Sequence, residues 1–242
     1  MTNFLPVLLA ATSDGFGRVW SFLAGGGEVM ILIVLCSIIA VTIIVLKALQ
    51  LREHVLFPPR IVEDLKNIPR YAESGDITPL QQRLQRSPSV AAELGLVVIS
   101  GKYDTKEEST QACEATGRGV IHRLEMGVPL LEVIVTVSPL LGLLGAVIGL
   151  VTVFSAFGGT GSSDADTAQV ARGIAEALHS TIAGLLVAIP TVIAHGYFSR
   201  KLDAIAVKIE TLCRSAIHDF HHHFEVGSPA PAPTRAAAKI RG

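Results

Sequence analysis

Charge is scarce in this chain. Lys, Arg, Asp and Glu make 17% of its 242 residues, whereas about a quarter is usual for a soluble domain. The shortage argues against one water-soluble globule. The formal net charge of −1 leaves no basic surplus to hold nucleic acid. Cysteine is scarce too. Cys36, Cys113 and Cys213 are odd in number and far apart, which supports neither a disulfide framework nor a clustered metal site; they read as small buried or cytosolic thiols. Walker loop, Rossmann fingerprint, zinc spacing and nucleophile–base pair are all missing, so no enzyme activity, cofactor or metal is expected. Gly25-Gly26-Gly27 lacks the Lys that a phosphate loop needs. No Lys or Arg precedes the apolar run Phe4–Ala11, so a secretory signal would lack its basic start. That run is read as a surface-lying, amphipathic part of an N-terminal segment, residues 1–27, with a cleaved signal as the alternative.

What is present is apolar. Half of the residues are hydrophobic and the mean hydropathy is positive. Three long apolar segments stand out, at residues 28–50, 128–157 and 171–198. Each reaches the roughly 20 residues that span a bilayer core. Pro139 and Pro190 fall inside two of them, which membrane helices tolerate when neighbours satisfy the freed carbonyl. The expected fold is therefore all-α, with three transmembrane helices.

Residues 51–127 form a polar region that reads as short amphipathic helices (Ile61–Ser74, Thr78–Gln85, Val90–Lys102) between the turns Phe57-Pro-Pro-Arg60 and Ser87-Pro-Ser89. From Lys106 the helical pattern runs into the second span, predicting one long rod. Residues 199–226 keep apolar positions at Leu202, Ile205, Ala206, Ile209, Leu212, Ala216 and Ile217, one face of a helix continuing the third span. Residues 227–242, rich in Pro and Ala, read as a disordered tail.

Basic residues set the orientation. Only Arg18 precedes the first span, while Lys47, Arg52, Arg60, Lys66 and Arg70 follow it. Arg118 and Arg123 precede the second, residues 158–170 hold no Lys or Arg, and Arg200, Lys201, Lys208 and Arg214 follow the third. The N-terminus and the 158–170 loop are thus expected outside, and residues 51–127 and the C-terminus inside.

Small residues recur at helical spacing: Ser138, Gly142, Gly145, Gly149 and Thr152 in the second span, and Gly173, Ala177, Thr181, Gly184 and Ala188 in the third. Such stripes let helices approach closely in lipid. They read first as packing within one chain, and second as the lining of a path shared between copies. Glu176 is the main functional candidate. A carboxylate at mid-bilayer costs roughly 3 kcal/mol on insertion scales, so it tends to face protein or water and to have a task. The alternative is a carboxylate that snorkels or pairs with Arg172. His179 and Ser180 lie three and four residues on, on the same helix face; His179 is expected to hydrogen-bond Glu176, with a proton relay as the alternative. His218 and His221–His223 read as a solvated helix end.

Two motifs give a resemblance. Residues 129–149, PLLEVIVTVSPLLGLLGAVIG, and residues 171–190, ARGIAEALHSTIAGLLVAIP, resemble the second- and third-span signatures of the MotA/TolQ/ExbB proton-channel family, closest to ExbB-type biopolymer transport proteins. The resemblance covers about residues 20–220. It implies a homopentamer in the bacterial inner membrane around a dimer of a single-span ExbD/TolR-like partner that carries an essential aspartate. Ion flow would power a TonB-like periplasm-spanning protein. It also implies an ion pathway at Glu176, Thr181, Ser180, Ala146 and Ser138, with pore packing at Gly142, Gly145, Gly149, Gly184 and Pro190. Ala146 departs from the Thr usual in the ExbB and TolQ branches and favours protons over sodium; Thr136, Ser138 or Ser180 could supply the missing hydroxyl. A TolQ-like motor, a stator of another machine and a non-conducting scaffold are the alternatives.

Overall fold

A computed structural model describes residues 27–74, 76–100, 102–103, 105–157 and 163–224. The expected surface segment up to residue 26, residues 158–162 of the expected loop and the expected tail lie outside the described residues. Among the described residues all regular structure is helical. In chain order the helices are α1 (Val29–Gln50), α2 (Glu53–Leu56), α3 (Pro59–Lys66), α4 (Ile68–Ser74), α5 (Thr78–Arg86), α6 (Val90–Ile99), α7 (Lys106–Glu125), α8 (Val128–Phe157) and α9 (Ser163–Phe224). Among the described residues, three helical stretches are long and apolar enough to cross a membrane, and each overlaps one of the three predicted segments.

The chain divides into two units. One holds the residues up to Lys47 together with Gly127–Ser199, and the other holds Ala48–Met126 with Arg200–Gly242. The first unit is the apolar one. Val29, Met30 and Ile33 of α1 form a buried cluster with Ala183 of α9, flanked by Val34, Leu141 and Val187. The outward positions of α8 and α9 remain hydrophobic: Leu140, Leu143, Leu144, Val147, Val151, Leu186 and Ile193 are all exposed. A surface of that kind belongs in lipid or against other helices, and the chain is a membrane protein.

In the second unit short helices assemble a core. Leu56, Ile61, Leu65, Ile68, Leu80 and Leu84 are buried. α6 was expected to be amphipathic, yet Val90, Ala91, Ala92, Leu94, Gly95, Val98 and Ile99 are all buried. Its sequence is apolar on nearly every side, so it fills the centre instead of floating on it. A Cβ at Gly95 would lie 2.6 Å from Leu65 Cδ2, so a larger residue there would have to displace the Leu65 side chain. The Ser87-Pro-Ser89 turn is a helix start: Ser89 Oγ accepts from the Ala92 N–H at 3.3 Å. Thr105 caps α7 in the same way, through the Glu108 N–H at 3.2 Å. Of the predicted face of α9, Leu202, Ile205, Ile209, Ala216 and Ile217 are buried, and Ala206 and Leu212 are half-buried.

The unbroken rod expected from Lys106 onward is not found. Extended Met126 (φ −48°, ψ 123°) ends α7, and Gly127 at φ 93° precedes α8. Glycine takes that left-handed conformation without a Cβ clash. The signal lay in the Glu125-Met126-Gly127 sequence, a helix-terminating glycine at a change from polar to apolar. α9, by contrast, runs on as expected through residues 199–224, and it begins at Ser163 rather than 171.

Candidate functional site

The two small-residue stripes meet. Along the contact between α8 and α9 the glycines mark where backbones touch. A Cβ on Gly142 would stand 2.9 Å from the Ser180 carbonyl oxygen, and one on Gly149 would stand 2.7 Å from that of Gly173. At Gly184 it would meet the Ser138 carbonyl oxygen at 2.5 Å, and at Gly145 it would meet Ser180 Cβ and Oγ at 2.5 Å. The order runs 149 to 173, 145 to 180, 142 to 181 and 138 to 184, so the helices are antiparallel. Packing within one chain is therefore observed.

Inside this contact lies a row of hydroxyls. Ser180 is fully buried and donates to the Glu176 carbonyl oxygen at 2.8 Å. Thr181 is half-buried and donates to its own helix at Ala177 O, 3.0 Å away. It also reaches across to Gly142 O at 3.4 Å, which is a long bond. Ser138, opposite Gly184, is fully buried and its Oγ has no hydrogen-bond partner. An orphan of this kind costs about 1–3 kcal/mol, so its retention calls for an explanation beyond packing. Further along, Thr191 is fully buried and donates to Val187 O at 2.6 Å.

Glu176 sits at one end of the row. It is half-buried and its carboxylate lies against Gly27, the residue that leads into α1; a Cβ on Gly27 would collide with Glu176 Oε1. Gly27 has φ 69°, so glycine serves there on two grounds. From Glu176 to Thr191 the row covers about 22 Å of helix axis, most of a bilayer core of about 30 Å. His179 Nδ1 meets the Ala175 carbonyl oxygen, one turn back on its own helix, at 2.6 Å.

The other expected residues divide. Ala146 is half-buried, one position round α8 from the contact stripe. Pro190 is exposed and takes no part in the contact within the chain. Of the three candidates to replace the missing hydroxyl, Ser138 and Ser180 lie in the contact, whereas Thr136 is exposed and bonds back to Glu132 O at 3.2 Å. Thr191 and Gly27 were missed. Thr191 continues the spacing of Ser180, Gly184 and Ala188, so the signal existed. Nothing local pairs Gly27 with Glu176. Among the described residues no group of His, Cys, Asp and Glu is arranged to hold a metal ion.

Comparison with known proteins identifies the family. Residues 80–211 match the model of the MotA/TolQ/ExbB proton channel family. The putative biopolymer transport protein ExbB-like 3 of Synechocystis is 33% identical over 178 residues, 72% of this chain and 81% of that protein. The biopolymer transport protein ExbB of Xanthomonas campestris is 38% identical over 106 residues, 44% of this chain and 40% of that protein. The Tol-Pal system protein TolQ of Haemophilus influenzae is 44% identical over 85 residues, 35% of this chain and 36% of that protein. With a family match across more than half of its length, this chain belongs to the MotA/TolQ/ExbB proton channel family.

Proposed function

We propose that this chain is the proton-conducting subunit of an ExbB-type motor in the bacterial inner membrane. Five copies surround a dimer of a single-span ExbD/TolR-like partner, and proton flow powers a TonB-like protein for outer-membrane import. The observation that carries the reading is the polar row of half-buried Glu176 and Thr181 with fully buried Ser180 and Ser138, the last a hydroxyl with no partner within the chain. Glu176 takes up a proton near the start of α1, which the distribution of Lys and Arg puts at the outer face. The hydroxyls and waters between them then pass it towards the partner's aspartate. Ser138 and Ser180 take the place of the hydroxyl that Ala146 lacks. The cytoplasmic part of α9 and the helices around it form a collar, with basic residues near the headgroups.

The test is acid uptake by vesicles that hold the chain with its partner. Glu176→Gln is expected to abolish uptake, and Thr181→Val to lower it by at least roughly tenfold, the scale of a lost proton relay. Unchanged uptake in both variants would sink the channel reading and leave a non-conducting scaffold. A second reading, a TolQ-like envelope motor, is favoured by the TolQ match. Deletion phenotypes separate the two: loss of siderophore uptake supports the first, and detergent sensitivity with intact uptake supports the second.

A further inference from the structure

α7 and α9 bring two thiols together in the second unit. Cys113 and Cys213, a hundred positions apart, place their sulfurs 2.6 Å from each other. Both are buried and both are free. The two thiols are direct neighbours between α7 and α9. The register is held on both sides. One turn along α7, Gly117 faces Ile209, with a Cβ there only 2.9 Å from Ile209 Cγ2. One turn back, Ser109 Oγ bonds His221 Nε2 at 3.0 Å. These flanking contacts keep the thiols from sliding past each other.

We propose that Cys113 and Cys213 form a reversible dithiol–disulfide site, oxidised by a small peroxide and reduced by a cellular dithiol. Both cysteines are among the residues that line a groove of about 560 Å³ along α7 and α9, with room for a molecule the size of hydrogen peroxide. The thiolate of one cysteine attacks a peroxide oxygen, the O–O bond breaks, and a sulfenic acid forms with release of hydroxide. The second thiol then attacks that sulfur, the S–O bond breaks, and water leaves. In sum two thiols and one peroxide give one disulfide and two waters, and the peroxide is the group reduced. Hydrogen bonding with Cys213 lowers the Cys113 thiol below its usual range, so the thiolate that starts the sequence arises within the pair. The same bond, and burial, push Cys213 up, which makes it the resolving partner. The site stands independently of proton conduction. Only its resting state rests on the proposed orientation, since thiols facing the cytoplasm are held reduced.

The experiment uses the full chain in detergent or nanodiscs with Cys36→Ser, which leaves these two thiols. After a peroxide pulse, unfolding and maleimide labelling, mass spectrometry should find both thiols lost from the labelled pool and one Cys113–Cys213 linked peptide. The chain should be lighter by two hydrogens, and dithiothreitol should reverse the change. With Cys213→Ser, a dimedone adduct should accumulate on Cys113, because the sulfenic acid has nothing to resolve it. Full labelling of both cysteines after peroxide, linkage only between chains, or a sulfinic acid on Cys113 without linkage would each overturn the proposal.

Discussion

At Gly145 the space for a side chain is already taken. A Cβ there meets Ser180 Cβ and Oγ at 2.5 Å, so Gly145→Ala should overpack the contact by about 1–3 kcal/mol and lower the unfolding temperature in detergent. The obstructing atoms belong to a side chain, so adding Ser180→Gly should recover part of the loss. Gly184→Ala should find no such rescue, because its Cβ meets the Ser138 carbonyl oxygen at 2.5 Å and backbone does not step aside. Thermal unfolding of the single and double variants checks both statements, and a positive coupling for the Gly145–Ser180 pair alone is the expected outcome. Much at this scale was legible in the sequence. The recurrence of Gly142, Gly145 and Gly149 names one helix face, and so does that of Ala177, Thr181 and Gly184. What no local pattern carries is a meeting between distant segments, such as Gly27 with Glu176 or Cys113 with Cys213.

Among the helices, α7 and the break that follows it offer a controlled comparison between two glycines. Gly119 is exposed within the helix, and a Cβ there touches nothing within 4 Å. Gly119→Ala should therefore stabilise the chain by about 0.5–1 kcal/mol, the helix penalty of glycine. Gly127, at φ 93°, should respond in the opposite sense. Gly127→Ala forces a Cβ into a left-handed backbone at a cost of about 1–2 kcal/mol. Denaturant or thermal midpoints of the two variants should move in opposite directions, and movement in the same direction would refute the assignment of the break. Element existence was readable from hydrophobic periodicity and from the length of the apolar runs. Two features were harder to read. The break at Gly127 was marked by the glycine alone, with helical patterns on both sides of it. The burial of α6 was hidden because a short apolar helix gives no sign of how many sides will be covered.

For the whole molecule, the proposed three spans would put the two ends of the apolar region on opposite sides of the membrane. A phosphatase fused to the N-terminus should be active and one fused to the C-terminus inactive, with green fluorescent protein showing the reverse; the opposite pattern would invert the proposed orientation. One architectural feature also bears on how the protein is made. Each unit is assembled from two separate stretches of chain, and the stretch that completes the second unit, from Arg200 onward, comes after all of the first. At about 5–20 residues per second of synthesis, the face of α7 that carries Cys113 and Val120 leaves the ribosome several seconds before Ile209 and Cys213 exist to cover it. The nascent chain therefore passes through an interval in which an apolar helix face and a thiol are open to chaperones, to proteases and to other chains, and the last helix decides when that interval closes.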